Sequence, residues 1–463
     1  MLCTPCYHQE RKGVCLSKNA CGTWTAGAAC LDITPLCNGS WLAGHARPRR
    51  AEGVRDPLCV RSLFLSDGRR SVSLTCLDLV GLRKIHVDEI RRRIPEPAER
   101  DGALVFTTHT HDAPDTIGYW GPRLLGAVPT RSGIDPDYME RVLSQTVACI
   151  ERARQAAVPV RIVAAGARVP RPLTRNVRRE GFKEDEIRVL QLRDVQGRSV
   201  AVLSNYPCHP EMLGHDGRRV SAEFVTDLHR VVEARFGGVT IFFQHALGGM
   251  VTGGVSRDDG SFDPARGEPF IAVLGQTLGE AVVRALESEP EPVDPGAVIR
   301  FRRREFRVPV RNRKFLLAAR LGLMPAYPEE IRGRYLRTEA SLLGFGPVRM
   351  VTVPGEALPE LGFQLRAMLN RPHPFVLCMG CDELGYILPR RYAGHRNYVY
   401  ENSMSVGPDT ADILLDRIRW MLEQDAPADE EPARCNDIRS MVPPEQAGKE
   451  PGIQGGSARW STN

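Results

Sequence analysis

Two histidines, His109 and His111, lie in Thr107-Thr108-His109-Thr110-His111-Asp112-Ala113-Pro114, directly after the apolar run Ala103-Leu104-Val105-Phe106. Such a run predicts a strand, in which side chains alternate faces. Residues at i and i+2 then point the same way, and two imidazoles can converge on one cation or one substrate. Neutral imidazole is a common metal ligand, and the following Gly118-Tyr119-Trp120-Gly121-Pro122 is a stretch in which the backbone can open a cleft. Paired histidines at strand ends are also often only hydrogen-bonded, so this pair by itself leaves a metal site and a structural pair both open.

Four further loops carry residues able to complete such a site. Ser204-Asn205-Tyr206-Pro207-Cys208-His209-Pro210-Glu211 places a histidine between two prolines after a predicted strand, as a ligand or as a plain turn residue. Val353-Pro354-Gly355-Glu356 ends one strand and starts a predicted helix, where the helix dipole favours a carboxylate with or without a metal. Cys378-Met379-Gly380-Cys381-Asp382-Glu383-Leu384-Gly385-Tyr386 contains a C-x-x-C, but its flanks lack the helix N-terminus that activates a thiol, so both cysteines read as small core residues. The run from Phe243 through Gln244 and His245 to Gly254 is a strand entering a glycine-rich loop. It lacks the Gly-Lys-Ser/Thr ending of a phosphate loop; its glycines allow close approach to a ligand or form a simple turn.

The elements that must position these loops alternate. Strands are expected at 61–65, 72–77, 103–108, 160–165, 187–192, 199–204, 239–244, 348–353 and 374–379, where β-branched and other apolar residues cluster. Helices are expected at 86–93, 137–156, 222–236, 270–287, 357–369 and 410–423, where apolar residues recur at three- and four-residue spacing. An arginine-rich strand near 299–310 adds an antiparallel component. The fold class is therefore α/β (α+β), a layered sandwich of mixed sheets flanked by helices. The expected domain spans 26–424, after a cysteine-containing extension (1–25) and before a disordered tail rich in Pro, Glu, Gly and Ser (425–463).

Composition narrows the function classes. With 463 residues, 42% of them hydrophobic, the chain can bury a large core. A net charge of +6 with short, scattered basic runs argues against nucleic acid as a partner. No apolar run approaches the roughly 20 residues of a membrane span. Thirteen cysteines are diluted in a large chain whose first residues contain no apolar leader, so a reducing cytoplasm is the expected location. Cys3, Cys6, Cys15 and Cys21 are spaced C-x2-C-x8-C-x5-C, which leaves open a zinc site or an unstructured start.

Several motifs occur in a shared order. They are Ala26-Gly27-Ala28-Ala29-Cys30-Leu31-Asp32-Ile33-Thr34-Pro35, Asp56-Pro57-Leu58 ahead of Arg61, Thr75-Cys76-Leu77-Asp78, and the His109-Thr110-His111 loop. They continue through His209, Gln244 to Gly248, Pro354-Gly355-Glu356, Gly385-Tyr386 and Tyr400-Glu401. Over roughly 26–423 this series resembles the N-terminal catalytic domain of the neutral/alkaline non-lysosomal ceramidases. The resemblance implies an amidohydrolase with one Zn2+ per chain, held by His109, His209, Glu356 and Tyr386. It also implies that His111 and Tyr400 donate hydrogen bonds near the substrate carbonyl. Zinc with such ligands lowers the pKa of a water to about 7 and polarises a carbonyl.

The chain departs from the family pattern in the glycine loop. Where the family has Gly-Asp-Val-Ser-Pro, this sequence has Gly248-Gly249-Met250-Val251-Thr252, which puts Val251 at the serine and Gly249 at the aspartate. Thr252, one residue displaced, is the candidate substitute. The expectation is a zinc-dependent hydrolase of an N-acyl amide or ester, with a small-molecule or lipid-like substrate that need not be a sphingolipid. The alternative is a catalytically idle domain that serves as a binding module.

Overall fold

Eight apolar runs build the larger sheet of the computed structural model. In chain order they are β1 (Thr25–Asp32), β2 (Cys59–Ser66), β3 (Ser71–Leu77), β4 (Ala103–Thr107), β5 (Val158–Arg168), β6 (Glu186–Asp194), β7 (Ser199–Tyr206) and β8 (Val239–Gln244). Their spatial order is β8-β7-β6-β5-β1-β2-β3-β4, and the short strand Glu291–Pro292 joins β5 as a ninth. The inner pairs are antiparallel, whereas β7–β8 and β3–β4 at the two ends are parallel. Parallel neighbours need a crossover. Helix α1 (Lys84–Arg93) carries the chain from β3 to β4, and two helices lie farther along, α2 (Pro136–Gln155) and α3 (Phe224–Phe236). The last of these is the crossover from β7 to β8. The structure describes residues 24–425 apart from 37–38, 125–127, 170–172, 257–261, 264–266, 323–330 and 332. The amino-terminal cysteine motif and nearly all of the expected tail lie outside the described residues.

Helix α4 (Glu268–Glu287) is the one described helix with the length and apolarity of a membrane span, with a mean hydropathy of 1.2 over its window. Its apolar face is used inside the protein. Gly275 and Gly279 let it lie against α3 so closely that a Cβ at Gly275 would come within 2.5 Å of Asp227 Cβ and the Phe224 carbonyl. Leu274, Leu278 and Val282 are fully buried in the cluster that also holds Phe224, Leu228 and Val232.

The second sheet is built from β9 (Arg300–Pro309), β10 (Tyr335–Phe345), β11 (Val348–Thr352) and β12 (His373–Leu377), in that order, with only the last pair parallel. Helix α5 (Pro359–Leu369) is the crossover, and α6 (Thr410–Glu423) packs on β9 and β10. The arginine-rich run is thus an antiparallel edge strand, and the architecture is the mixed α/β layering expected from sequence.

The carboxyl ends of β4, β8 and β12 meet. Phe106 packs edge-on against Phe243 with ring centroids 5.0 Å apart. Beyond them the fully buried Gln244 donates from Nε2 to the carbonyls of Thr108 (2.8 Å) and Cys208 (2.6 Å). The Gln244 carbonyl in turn accepts from the Cys378 amide at 2.9 Å. One side chain and its backbone therefore tie together the loops after β4, β7, β8 and β12, and ligands of open α/β sheets gather at such strand ends. Cys378 and Cys381 are fully buried and make no disulfide, and burial pushes the Cys381 thiol up to about 12, which agrees with their reading as core residues.

Candidate metal centre

Strand β4 ends at Thr107, so strand alternation does not aim His109 and His111. His109 has φ +64°, a left-handed conformation that an extended strand cannot contain. This turn, stored next to a polar cleft, brings the two rings to a centroid separation of 5.0 Å. The expectation of a shared strand face is corrected accordingly: the pair converges, through a reversal of the backbone.

His109 Nδ1 donates to the Val80 carbonyl at 2.6 Å. His209 Nδ1 donates to the Val251 carbonyl at 2.9 Å, and the His209 amide donates to the same oxygen at 2.9 Å. Both rings are thereby fixed with Nε2 facing Glu356: His109 Nε2 lies 3.6 Å from Oε1 and His209 Nε2 lies 3.0 Å from Oε2. A ring whose second nitrogen is held by a carbonyl is oriented as a metal-ligating histidine is. Val251 has its side chain fully buried in the core and supplies its backbone carbonyl to His209.

Glu356 is not at a helix start, contrary to the sequence expectation. It belongs to the two-residue strand Glu356–Ala357, which pairs in parallel with Tyr386–Ile387 in register, and α5 begins only at Pro359, capped by Leu358. The pairing sets Glu356 beside Tyr386, whose hydroxyl donates to Met250 Sδ at 3.4 Å. Tyr400 packs edge-on against Tyr386 with centroids 5.8 Å apart. The cleft above is lined by His109, His111, Glu356, Glu383, Tyr386 and Tyr400, and on one side by Ile117, Tyr119 and Trp120. Its free volume is about 40 Å3, enough for a few waters. Thr252 is not among the residues that line it. It sits on the strand Val251–Gly253, opposite Arg175.

The electrostatics follow from burial and from Glu356. Burial opposes charge on both partners, but the pairing with His109 and His209 holds the Glu356 carboxyl down at about 2. Against the same burial, the hydrogen bond that His209 Nε2 donates to Glu356 lifts His209 to about 9. His209 Nε2 and the buried Glu356 carboxylate face each other at 3.0 Å, and two imidazoles with a carboxylate form a donor set that fits zinc. Burial, then the neighbouring His109, His45 and His209, hold His111 well below its ordinary value, so it is a neutral imidazole. Burial and the Glu356 charge push Tyr386 well above 10.

Sequence reasoning missed three contributors. Glu383 lines the cleft with a carboxyl raised to about 8 by burial and by Glu356, and its only sequence signal was its place three residues before Tyr386. Val80 supplies the carbonyl for His109 from a loop with no distinguishing composition. Gly44 has φ +93°, and a Cβ there would stand 2.2 Å from His111 Cγ. Gly44→Ala is therefore expected to push the His111 ring aside and to lower turnover about 10²-fold, since a misplacement of about 1 Å has that effect. Its thermal melt should remain cooperative; unchanged turnover in the variant would show that the position of the His111 ring does not matter.

A scan of protein-family models finds no match to the chain, and no curated protein matches it in sequence. Solved structures do match. The neutral ceramidase from Pseudomonas aeruginosa superposes with TM-score 0.69 at 17% identity, over 90% of this chain and 77% of that one. A ceramidase complexed with C2 gives TM-score 0.68 at 15% identity, over 90% of this chain and 78% of that one. The chain thus carries a neutral ceramidase-like fold, and its buried His109, His111 and His209 offer ligand atoms that lie within 4.8 Å of one another.

Proposed function

We propose that this protein is a zinc-dependent hydrolase of linear N-acyl amides or esters, with one Zn2+ held by His109, His209, Glu356 and Tyr386. The observation that carries the reading is the convergence of the two Nε2 atoms on Glu356, each ring anchored at Nδ1 by a backbone carbonyl. Zinc bound there supplies Lewis acidity, making a water nucleophilic near neutral pH and polarising a carbonyl. The protein's own residues do the rest. His111, kept neutral by burial, and Tyr400, whose phenol remains protonated, donate to the oxygen on which charge develops. Glu383 is largely protonated at neutral pH and adds no second charge beside Glu356. Ile117, Tyr119 and Trp120 give the acyl side of the substrate an apolar wall that excludes water.

The test is metal content by mass spectrometry on protein purified without affinity metal, followed by a panel of N-acyl and ester substrates. Tightly bound zinc whose content falls by one ion per chain in a His109→Ala, His209→Ala double variant, together with turnover of at least one amide, is the expected result. The burial of Val251 and the position of Thr252 outside the cleft favour a second reading, in which the domain binds an N-acyl ligand without cleaving it. Zinc-loaded protein that binds these compounds and turns over none of them would decide for that reading.

A further inference from the structure

His111 has a second set of neighbours. Its Nδ1 faces Glu211, 3.5 Å from Oε2, and is buried without a hydrogen-bond partner. His45 closes the group: the ligand atoms of His45, His111 and Glu211 all lie within 4.8 Å of one another. The His45 and His111 rings meet edge to face with centroids 5.3 Å apart, and the exposed His215 packs against His45 from outside at 4.7 Å. His45 is 5% and His111 7% exposed, so a ligand here would be largely shielded from water. Atoms at about 2.1 Å from a tetrahedral metal stand about 3.4 Å from each other. The Nδ1 to Oε2 separation already has the length of a coordination edge.

We propose that His45, Glu211 and His111 through Nδ1 bind a second divalent transition-metal ion beside the His109–His209–Glu356 centre. Two imidazoles and a carboxylate are a donor set for zinc and its first-row neighbours. The nearby Arg49 does not compete for Glu211, because its guanidinium is used by Asp112 at 2.8 Å and by the carbonyls of Ala43 and His111. The cluster Asp88, Glu305 and Glu339 offers a contrast: there the Lys84 ammonium already sits at 2.7, 3.0 and 2.7 Å from the three carboxylates. Among the described residues, no lysine or arginine makes an ion pair with Glu211, which faces His111. A metal on Nδ1 fixes the ring tautomer, since the nitrogen that is ligated decides which one keeps its proton. His111 then holds its proton on Nε2 and acts as a donor. The ion site stands on the three side chains, whereas this service to the oxyanion rests on the hydrolase reading.

The full chain, stripped with a chelator and dialysed against zinc, is expected to hold about two ions, and Glu211→Gln or His45→Ala about one. Glu211→Gln is isosteric and guards against misfolding of His45→Ala; circular dichroism checks both. Titration of the stripped protein with cobalt gives a second readout, two resolvable visible-band phases in wild type and one in Glu211→Gln. A single ion kept in Glu211→Gln and lost in Glu356→Gln would overturn the second site and leave the hydrolase reading intact. A single ion lost in Glu211→Gln and kept in Glu356→Gln would uphold the second site and remove the zinc assignment on which the proposed function depends. No ion in folded wild type would overturn both.

Discussion

Glu356→Gln is expected to lower turnover by at least about 10³-fold, the scale set by losing the charge that would hold the proposed zinc and its electrostatic stabilisation. The same change is expected to leave the fold nearly untouched. The amide has the volume of the carboxyl and can still accept from the histidines that face it. His209 is raised to about 9 chiefly by Glu356, against burial, so without the carboxylate it reverts to neutral imidazole and no buried charge is stranded. Glu356→Ala would confuse the comparison, because it also opens a void beneath two packed rings. Zinc content and turnover should fall together while the thermal midpoint barely moves. Full turnover with full zinc in folded Glu356→Gln would refute the assignment of this residue.

The loops of this centre were legible because each follows an apolar run that reads as a strand, and strand ends are where a sheet places its ligands. His109, His209, Glu356, Tyr386 and Tyr400 were all singled out in this way, or by their order along the chain. What escaped was whatever depends on a distant partner. The left-handed backbone at His109 is not encoded in Thr-His-Thr-His. Glu356 looked like the first turn of a helix because Pro359 begins one three residues later; only Tyr386, thirty residues downstream, draws it into a parallel bridge. His45 and Glu211 had no local signal at all, since neither is near His111 in sequence. Thr252 lies on Val251–Gly253, which pairs with Thr174–Asn176, and it is not among the residues that line the cleft.

The largest stability effect is expected at Glu339, a carboxylate on β10 that is fully buried. It accepts from Arg91 Nη1 at 2.8 Å and Nη2 at 2.5 Å, and from Lys84 Nζ at 2.7 Å. Glu339→Gln should destabilise the protein by about 3 kcal/mol, because Arg91 loses its bidentate partner in a medium that cannot solvate it, whereas Lys84 keeps Asp88 and Glu305. An apolar redesign of all three positions would carry no such penalty, so the effect measures a broken network, with no claim that the network surpasses hydrophobic packing. Burial raises the cost of the Glu339 charge, but Arg91 and Lys84 outweigh it and hold the carboxyl at about 2, against 4.5 when unfolded. The stabilisation is therefore complete above pH 4.5 and is lost as pH falls through about 2. Denaturant titrations at pH 7 and pH 3 should show the gap between wild type and Glu339→Gln narrowing at the lower pH; a constant gap would mean that the pairing is not its source. The network also bears on the metal centre. Lys84 and Arg91 lie on α1, immediately after the Val80 carbonyl that orients His109, and Arg91 Nη2 donates to Cys381 Sγ at 3.4 Å in the loop that leads to Glu383 and Tyr386. Loosening Glu339 should thus reduce zinc retention as well as stability, which ties the second sheet's most buried charge to the geometry of a site it never touches.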